Sequence, residues 1–480
     1  MKTDSVRPAP DLYNTPMARS RTVYSCTECG GQQPRWVGRC PSCGGWSTLV
    51  EETIRAPGET RQLGQNPDTE SAKPMLLGEI DTASAPRLVT KLVEFDRVLG
   101  GGLVPGSVVL LAGEPGIGKS TLALQLAAAL GSRAAILYVT GEESPEQLRL
   151  RAERLSAIPK DLLVLAETRA ESIAATWADR APSVVVIDSI QTLRTDRVES
   201  APGSVAQVRE CAAELAAIAK SRNTALILVG HVTKEGTIAG PRVLEHLVDV
   251  VLSFEGDRGQ FFRLLRANKN RFGSTQEVGV FAMTERGLED VENPSELFLA
   301  ERRAGAPGSC IASLVEGSRP MLVELQALVA PAGYGTARRT PVGLDDGRLA
   351  LLIAALDRHS DVDFLSRDVY VNVAGGLRIS EPGADLALAL ALASSRLDVP
   401  LPADAAAFGE IGLGGEVRRV GRIELRLREA VRLGFRRVLL PAGVEVARPA
   451  GAELIPVADV AAAVRWLRAS SAVHVSVNDC

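Results

Sequence analysis

The sequence predicts an α/β protein with three folded parts: a small four-cysteine module, a phosphate-binding domain on a mostly parallel sheet, and an α+β domain. Three observations predict it. Two C-x-x-C pairs lie close together near the N-terminus, and a G-x-x-x-x-G-K-S loop follows the β-branched run SVVLLA at 107–112. Further runs of that kind, AILYVT (135–140), SVVVID (183–188) and ALILVG (225–230), alternate with helical stretches. At 480 residues the chain exceeds what one core ordinarily serves, so two or three domains are expected. The apolar fraction of 46% is that of a globular protein, and a formal net charge of -4 gives no general attraction to polyanions. Any contact with nucleic acid must therefore come from local basic loops.

Residues 1–22 read as a loose, proline-containing tail, and MKTDSVRPAPDLYNTP lacks the apolar stretch of a secretion signal. The longest apolar run, Leu386–Ala393, falls short of the roughly 20 residues that cross a bilayer. A cytoplasmic protein without a membrane partner is the expectation. Residues 23–49 carry Cys26, Cys29, Cys40 and Cys43, while Cys211, Cys310 and Cys480 are scattered. In a reducing compartment the cluster points to metal. Each C-x-x-C can set two thiolates on one ion, and Gly30 and Gly44 permit the tight turn after each pair. Four sulfurs close a tetrahedral Zn²⁺ site with no open position, hence a structural one; four free thiols or two redox pairs are the alternative. Arg35, Trp36 and Arg39 offer cations and an aromatic face suited to phosphates and bases. Trp36 and Trp46 suit the module's own core equally; Trp46 is expected there and Trp36 is left open.

Residues 50–85 lack apolar periodicity and read as a linker. The phosphate-binding domain spans 86–290, with closely spaced runs at 250–256, 261–268 and 278–284 that extend its sheet as hairpins. In its loop, Gly113, Glu114, Pro115, Gly116, Ile117 and Gly118 precede Lys119, Ser120 and Thr121, which open the helix TLALQLAAAL. The glycines let backbone N–H groups point at phosphate oxygens, and the helix N-terminus adds its positive end. Lys119 neutralises the β and γ phosphates of ATP, and Ser120 can ligate Mg²⁺. Asp188 ends SVVVID, where an acid can hold the Mg²⁺ shell; alone it would read as a turn or cap. Glu142 and Glu143 follow AILYVT, where one carboxylate can orient an attacking water and the other cap the next helix.

The phosphate loop, YVTGEES, VVVIDSIQTL, LVGHVTKEG and KNRFG, set between a four-cysteine cluster and a C-terminal domain, resemble the bacterial RadA (Sms) family of DNA repair proteins. The resemblance runs from about Thr22 to Leu467. It implies a RecA-like ATPase core in which Glu142 is the catalytic glutamate and His231 senses the γ-phosphate. KNRFG covers Lys269–Gly273, and Lys and Arg two apart on a strand point the same way. They could aid phosphoryl transfer, grip a DNA backbone, or form a solvated basic turn. The resemblance has Lys269 and Arg271 act on the neighbouring subunit's nucleotide, which implies a hexamer. It further implies a DNA-dependent ATPase, with helicase action open to it, that branch-migrates single-stranded and branched DNA beside the RecA recombinase. Lys234 and Arg242 are candidate DNA contacts. Relatives begin shortly before the first cysteine, so Met17 is an alternative start to Met1.

Residues 291–468 are similar to the proteolytic domain of Lon, through ISEPGADLALALALAS and GEIGLGGEVRRVGRIELRLREA, with 469–480 a tail. That family uses a serine nucleophile and a lysine base. Gly383 stands at the serine position and Glu424 at the lysine position, so an inactive domain is expected. Arg418, Arg419, Arg422, Arg426 and Arg428 could line a DNA path or simply form a solvated face. A RecA-like signalling ATPase without a DNA substrate is the second reading, and an ATP-dependent protease the third.

Overall fold

The computed structural model describes residues 21–26, 31–42, 44–54, 76, 86–131, 133–155, 161–231, 242–256, 262–333 and 336–475. In the N-terminal module, β1 (Arg21–Cys26) pairs antiparallel with β2 (Gln32–Gln33) and β3 (Leu49–Ile54). The β1–β3 register runs unbroken from Arg21↔Ile54 to Cys26↔Leu49, which carries the sheet past both edges of the expected 23–49 module. Its interior is Cys26, Cys40 and Leu49, with Tyr24 and Val37 against them. Trp46 was expected in that interior and is instead 73% exposed. So small a module has too little volume to enclose an indole.

The second domain alternates helices and strands as α1 (Val93–Leu99), β4 (Val108–Gly113), α2 (Lys119–Leu130), β5 (Ile136–Thr140), α3 (Pro145–Arg154), β6 (Leu162–Ala166), α4 (Ala170–Arg180), β7 (Val184–Asp188), α5 (Val205–Ser221), β8 (Ala225–His231), α6 (Arg242–Leu247) and β9 (Val250–Glu255). Three strands follow: β10 (Phe262–Asn270), β11 (Val278–Thr284) and β12 (Gly287–Asp290). The nine lie in one sheet of order β12-β11-β10-β9-β4-β8-β7-β5-β6, parallel from β9 to β6 and antiparallel beyond. Successive strand residues feed opposite faces. Val109, Leu111 and Tyr138 pack with Phe95, Leu122 and Leu148 on one side. Val108, Leu110 and Val139 pack with Trp177, Val208 and Leu215 on the other.

The C-terminal domain holds α7 (Pro294–Leu299), β13 (Ser309–Glu316), β14 (Arg319–Pro331), β15 (Arg339–Val342), α8 (Asp346–His359), β16 (Arg367–Val373), α9 (Asp385–Leu397), β17 (Ala405–Ala407), β18 (Glu410–Ile411), β19 (Val417–Arg418), α10 (Ile423–Arg432), β20 (Arg437–Pro441), β21 (Glu453–Val457) and α11 (Val460–Val475). Its seven-stranded sheet has the order β15-β16-β14-β13-β17-β20-β21. The apolar run Leu386–Ala393 forms most of α9 and is buried throughout, at the centre of the domain's main core. The last helix continues to Val475, past residue 468 where a tail was expected. Among the described residues no helix is long and apolar enough to cross a membrane.

Candidate functional site

The parallel strands β4, β5, β7 and β8 end side by side at one edge of the sheet, and five of the predicted residues stand there. Gly118, at φ +115, is the N-cap of α2, and no side chain caps that helix. By contrast Ser144, Ser204, Asn293 and Asp345 each cap their own helix through a side-chain oxygen. The first N–H groups of α2 are thus left to a ligand, as an anion site requires. Lys119 is buried, and its Nζ donates to the carbonyls of Gly113 (2.8 Å) and Glu114 (2.9 Å), in the loop that would wrap phosphates. Burial lowers its pKa to about 8, against the opposing pull of Asp188, Glu142 and Glu114. An arriving phosphate would restore the ammonium's preference for charge.

Ser120 Oγ donates to Asp188 Oδ1 at 3.0 Å, and Tyr138 donates its hydroxyl to Asp188 Oδ2 at 2.7 Å. A hydroxyl and a carboxylate in this contact are the oxygen donors Mg²⁺ takes, and the fit is good. The two glutamates after β5 have different partners, and neither caps α3. Glu143 pairs with Arg151 of α3, while Ser144 and Gln147 form that helix's capping box. Glu142 accepts from Ser189 Oγ at 2.5 Å and lies 3.3 Å from His231 Nε2. Burial raises its pKa, but bonds from Ser189 and His231 outweigh this and the net shift is downward. Glu142 is therefore ionised at neutral pH and about half exposed, so solvent reaches it.

Lys269 and Arg271 stand elsewhere. Gly113 aligns with Phe254 on β9, whereas Asn270 aligns with Val250, four residues back along that strand. They are separated from the phosphate loop by about 13 Å of strand, at the opposite edge of the sheet. Lys269 Nζ donates to the carbonyls of Glu245 (2.6 Å) and Val248 (2.8 Å), and Arg271 Nη1 to Asp249 Oδ1 (3.0 Å). A register shift between Ala267 and Lys269 breaks the strand alternation, yet both cations reach the same segment, 245–249.

Sequence reasoning missed Tyr138, Ser189 and Asp249. Tyr138 and Ser189 lie in motifs it quoted, and Asp249 directly precedes the run 250–256; that adjacency is their only sequence signal. Cys26 and Cys40 are buried together, as shared metal ligation requires; Cys29 and Cys43 lie outside the described residues. Lys234 and the side chain of Arg242 do as well.

The five arginines of the C-terminal domain do not share one face. Arg426 is buried on the inner side of α10, against Glu381 and the carbonyl of Ser313, so it cannot line a DNA path. Arg418 pairs with Glu416, Arg419 bonds the Gly443 carbonyl, and Arg422 bonds Gly317 and Gln276. Arg428 is exposed and 3.5 Å from Glu424.

Comparison with known proteins agrees with this architecture. The family model for a rubredoxin metal-binding domain matches residues 24–51. The AAA domain model matches 92–237, and the Lon protease (S16) C-terminal proteolytic domain model matches 353–447. DNA repair protein RadA of Bacillus subtilis is 51% identical over 94% of this chain and 99% of its own length. RadA of Pseudomonas aeruginosa is 50% identical over 92% of this chain and 97% of its own, and that of Brucella abortus 51% over 89% and 93%. Among solved structures, a KaiC-like protein of Pyrococcus horikoshii covers 43% of this chain and 99% of its own at 19% identity, with a TM-score of 0.36 too low to carry an argument. With its zinc ribbon, RecA-like ATP-binding core and Lon-type domain in that order, and half its residues shared along nearly the whole length, the chain belongs to the RadA family of DNA repair proteins.

Proposed function

We propose that the chain is a DNA-dependent ATPase that works as a hexameric ring on single-stranded and branched DNA, promoting branch migration beside the RecA recombinase. The observation that supports this most is the split nucleotide site. Lys119, Ser120, Glu142, Asp188 and His231 gather at one edge of the sheet, and the cations Lys269 and Arg271 lie at the other. A chain that carries its loop and its cations on opposite edges completes the site when a second copy stacks beside it.

In this reading Lys119 leaves the loop carbonyls for the β and γ phosphates, and its charge is offset by them. Ser120 and Asp188 would hold Mg²⁺, which would supply positive charge to the phosphate oxygens. Glu142 orients the attacking water and draws its proton. His231, beside Glu142 at the end of β8, reports whether the γ-phosphate is present. The residues 232–240 that follow it are outside the described residues, so Lys234 remains a candidate contact by sequence alone. Steady-state ATP hydrolysis is expected to rise several-fold when single-stranded DNA is added. Turnover indifferent to DNA would leave a RecA-like ATPase with another partner.

The C-terminal domain is a retired protease serving as a platform. Gly383 has no nucleophile, and a Cβ on it would meet Glu381 Oε1 at 2.8 Å and Arg426 Nη1 at 3.1 Å, so an ion pair fills the space a serine would need. Glu424 is exposed and faces Arg428. Casein incubated with the protein and ATP is expected to stay intact; its cleavage would overturn this reading.

A further inference from the structure

The zinc module exposes two indoles that its own core does not use. Trp36 is 56% exposed and Trp46 73%. Large aromatic side chains are rarely left this open without a partner. They are also neighbours: a Cβ built on Gly38 would lie 3.9 Å from Cη2 of Trp36 and 3.9 Å from Cζ3 of Trp46, so both rings border one glycine.

Their setting is cationic. Arg39 pairs with Trp46 across a short antiparallel bridge, and its Nε donates to the Gly44 carbonyl at 2.9 Å. That bond holds the guanidinium 5.9 Å from the centre of the Trp46 ring, still exposed. Arg35 is exposed next to Trp36. Residues 31–46 contain two arginines and no carboxylate, in a chain whose overall charge is negative. A purely apolar partner would leave both guanidinium groups unmatched. A strand that presents flat rings beside phosphates matches indoles and guanidiniums together, and stacking of this kind tolerates any base.

We propose that Trp36 and Trp46 form a base-stacking platform for single-stranded nucleic acid, with Arg35 and Arg39 beside its phosphates. The inference rests on the DNA reading above and adds to it where the strand is held. It is tested on the full-length protein with a labelled oligo-dT strand and a strand of equal length without bases, at one salt concentration. Trp36→Ala and Trp46→Ala are each expected to weaken oligo-dT binding about tenfold. Binding of the base-free strand, zinc content and DNA-free ATP turnover are expected to stay unchanged. Oligo-dT affinity unaltered in the double alanine variant overturns the platform. So does an equal loss on both strands. If alanine costs the module its zinc, Trp36→Phe with Trp46→Phe is used instead. That pair keeps a stacking face and is expected to retain most oligo-dT affinity; a loss as large as that from removing the rings overturns the platform. Failure of the wild type to bind oligo-dT sinks the DNA reading itself.

Discussion

Lys119→Ala is expected to lower steady-state ATP hydrolysis at least about a hundredfold and to leave the protein folded. The loss follows from position. The ammonium already sits on the carbonyls of Gly113 and Glu114, within a loop that leads into a helix terminus no side chain caps. Without it the charge that builds on the β and γ oxygens meets only backbone dipoles and Mg²⁺. The fold has little reason to suffer. Burial lowers the Lys119 pKa from 10.5 to about 8, a shift worth about 3 kcal/mol against the charged form. A folded-state pKa below the unfolded value means a penalty fully present below about pH 8, where both states are protonated. It fades as pH rises toward 10.5, where the unfolded chain sheds its proton too. The alanine variant lacks that penalty. Its melting temperature at neutral pH is expected to equal or exceed the wild type's, with the gap narrowing in alkaline buffer. Hydrolysis within a few-fold of wild type would show that the phosphate loop is not where turnover occurs. Melting well below wild type at neutral pH would show instead that Lys119 stabilises the loop.

Most of the candidate site was legible because the residues it gathers lie in short, local motifs. The loop residues 113–121 are contiguous, Asp188 ends a run of β-branched residues, and Glu142 follows two residues after another that the sheet aligns beside it. The central strands were found to within about one residue, since full burial makes them continuous apolar runs. The edge strand β6 was not among the runs read from sequence; its Leu163 and Val164 are 40% and 42% exposed, and no periodicity separates it from a loop. Trp46 and Arg426 were misread for one reason. An indole reads as core and an arginine as surface, but the zinc module is too small to bury the first, and Glu381 and the Ser313 carbonyl satisfy the second. Spacing along a chain carries no record of such partners.

Nor did the sequence point to Arg319, where the second large effect is expected. This residue opens β14 in the C-terminal domain and is 8% exposed, yet its guanidinium pairs with Glu94 of α1 in the ATPase domain, itself 1% exposed. Its Nη2 donates to the carbonyls of Val291 (2.8 Å) and Glu292 (2.6 Å) at the junction between the domains. Glu94 Oε2 in turn accepts from the Val280 N–H of β11 at 2.9 Å. Close by, the β13–β14 turn meets the ATPase domain so tightly that a Cβ on Gly317, at φ +62, would fall 1.3 Å from the Gln276 carbonyl oxygen. Arg319→Ala leaves the buried Glu94 carboxylate only the Val280 N–H and the half-exposed Arg97 at 3.5 Å, and strands two carbonyls; it is expected to cost about 3 kcal/mol, read as a lower urea midpoint. Adding Glu94→Leu to that variant removes the orphaned charge and is expected to recover much of the loss, because apolar replacement of both partners is often close to neutral. A single variant as stable as wild type would mean that solvent reaches Glu94 and the pair holds nothing. The consequence reaches past stability. Beside Val280 in the register, β11 pairs with β10, and β10 ends in Lys269 and Asn270. Arg319 thus ties the C-terminal platform to the strand pair that carries the distant cations. If those cations act on a neighbouring subunit and DNA stimulates turnover, as proposed, loosening the tie is expected to lower the stimulated rate more than the basal one.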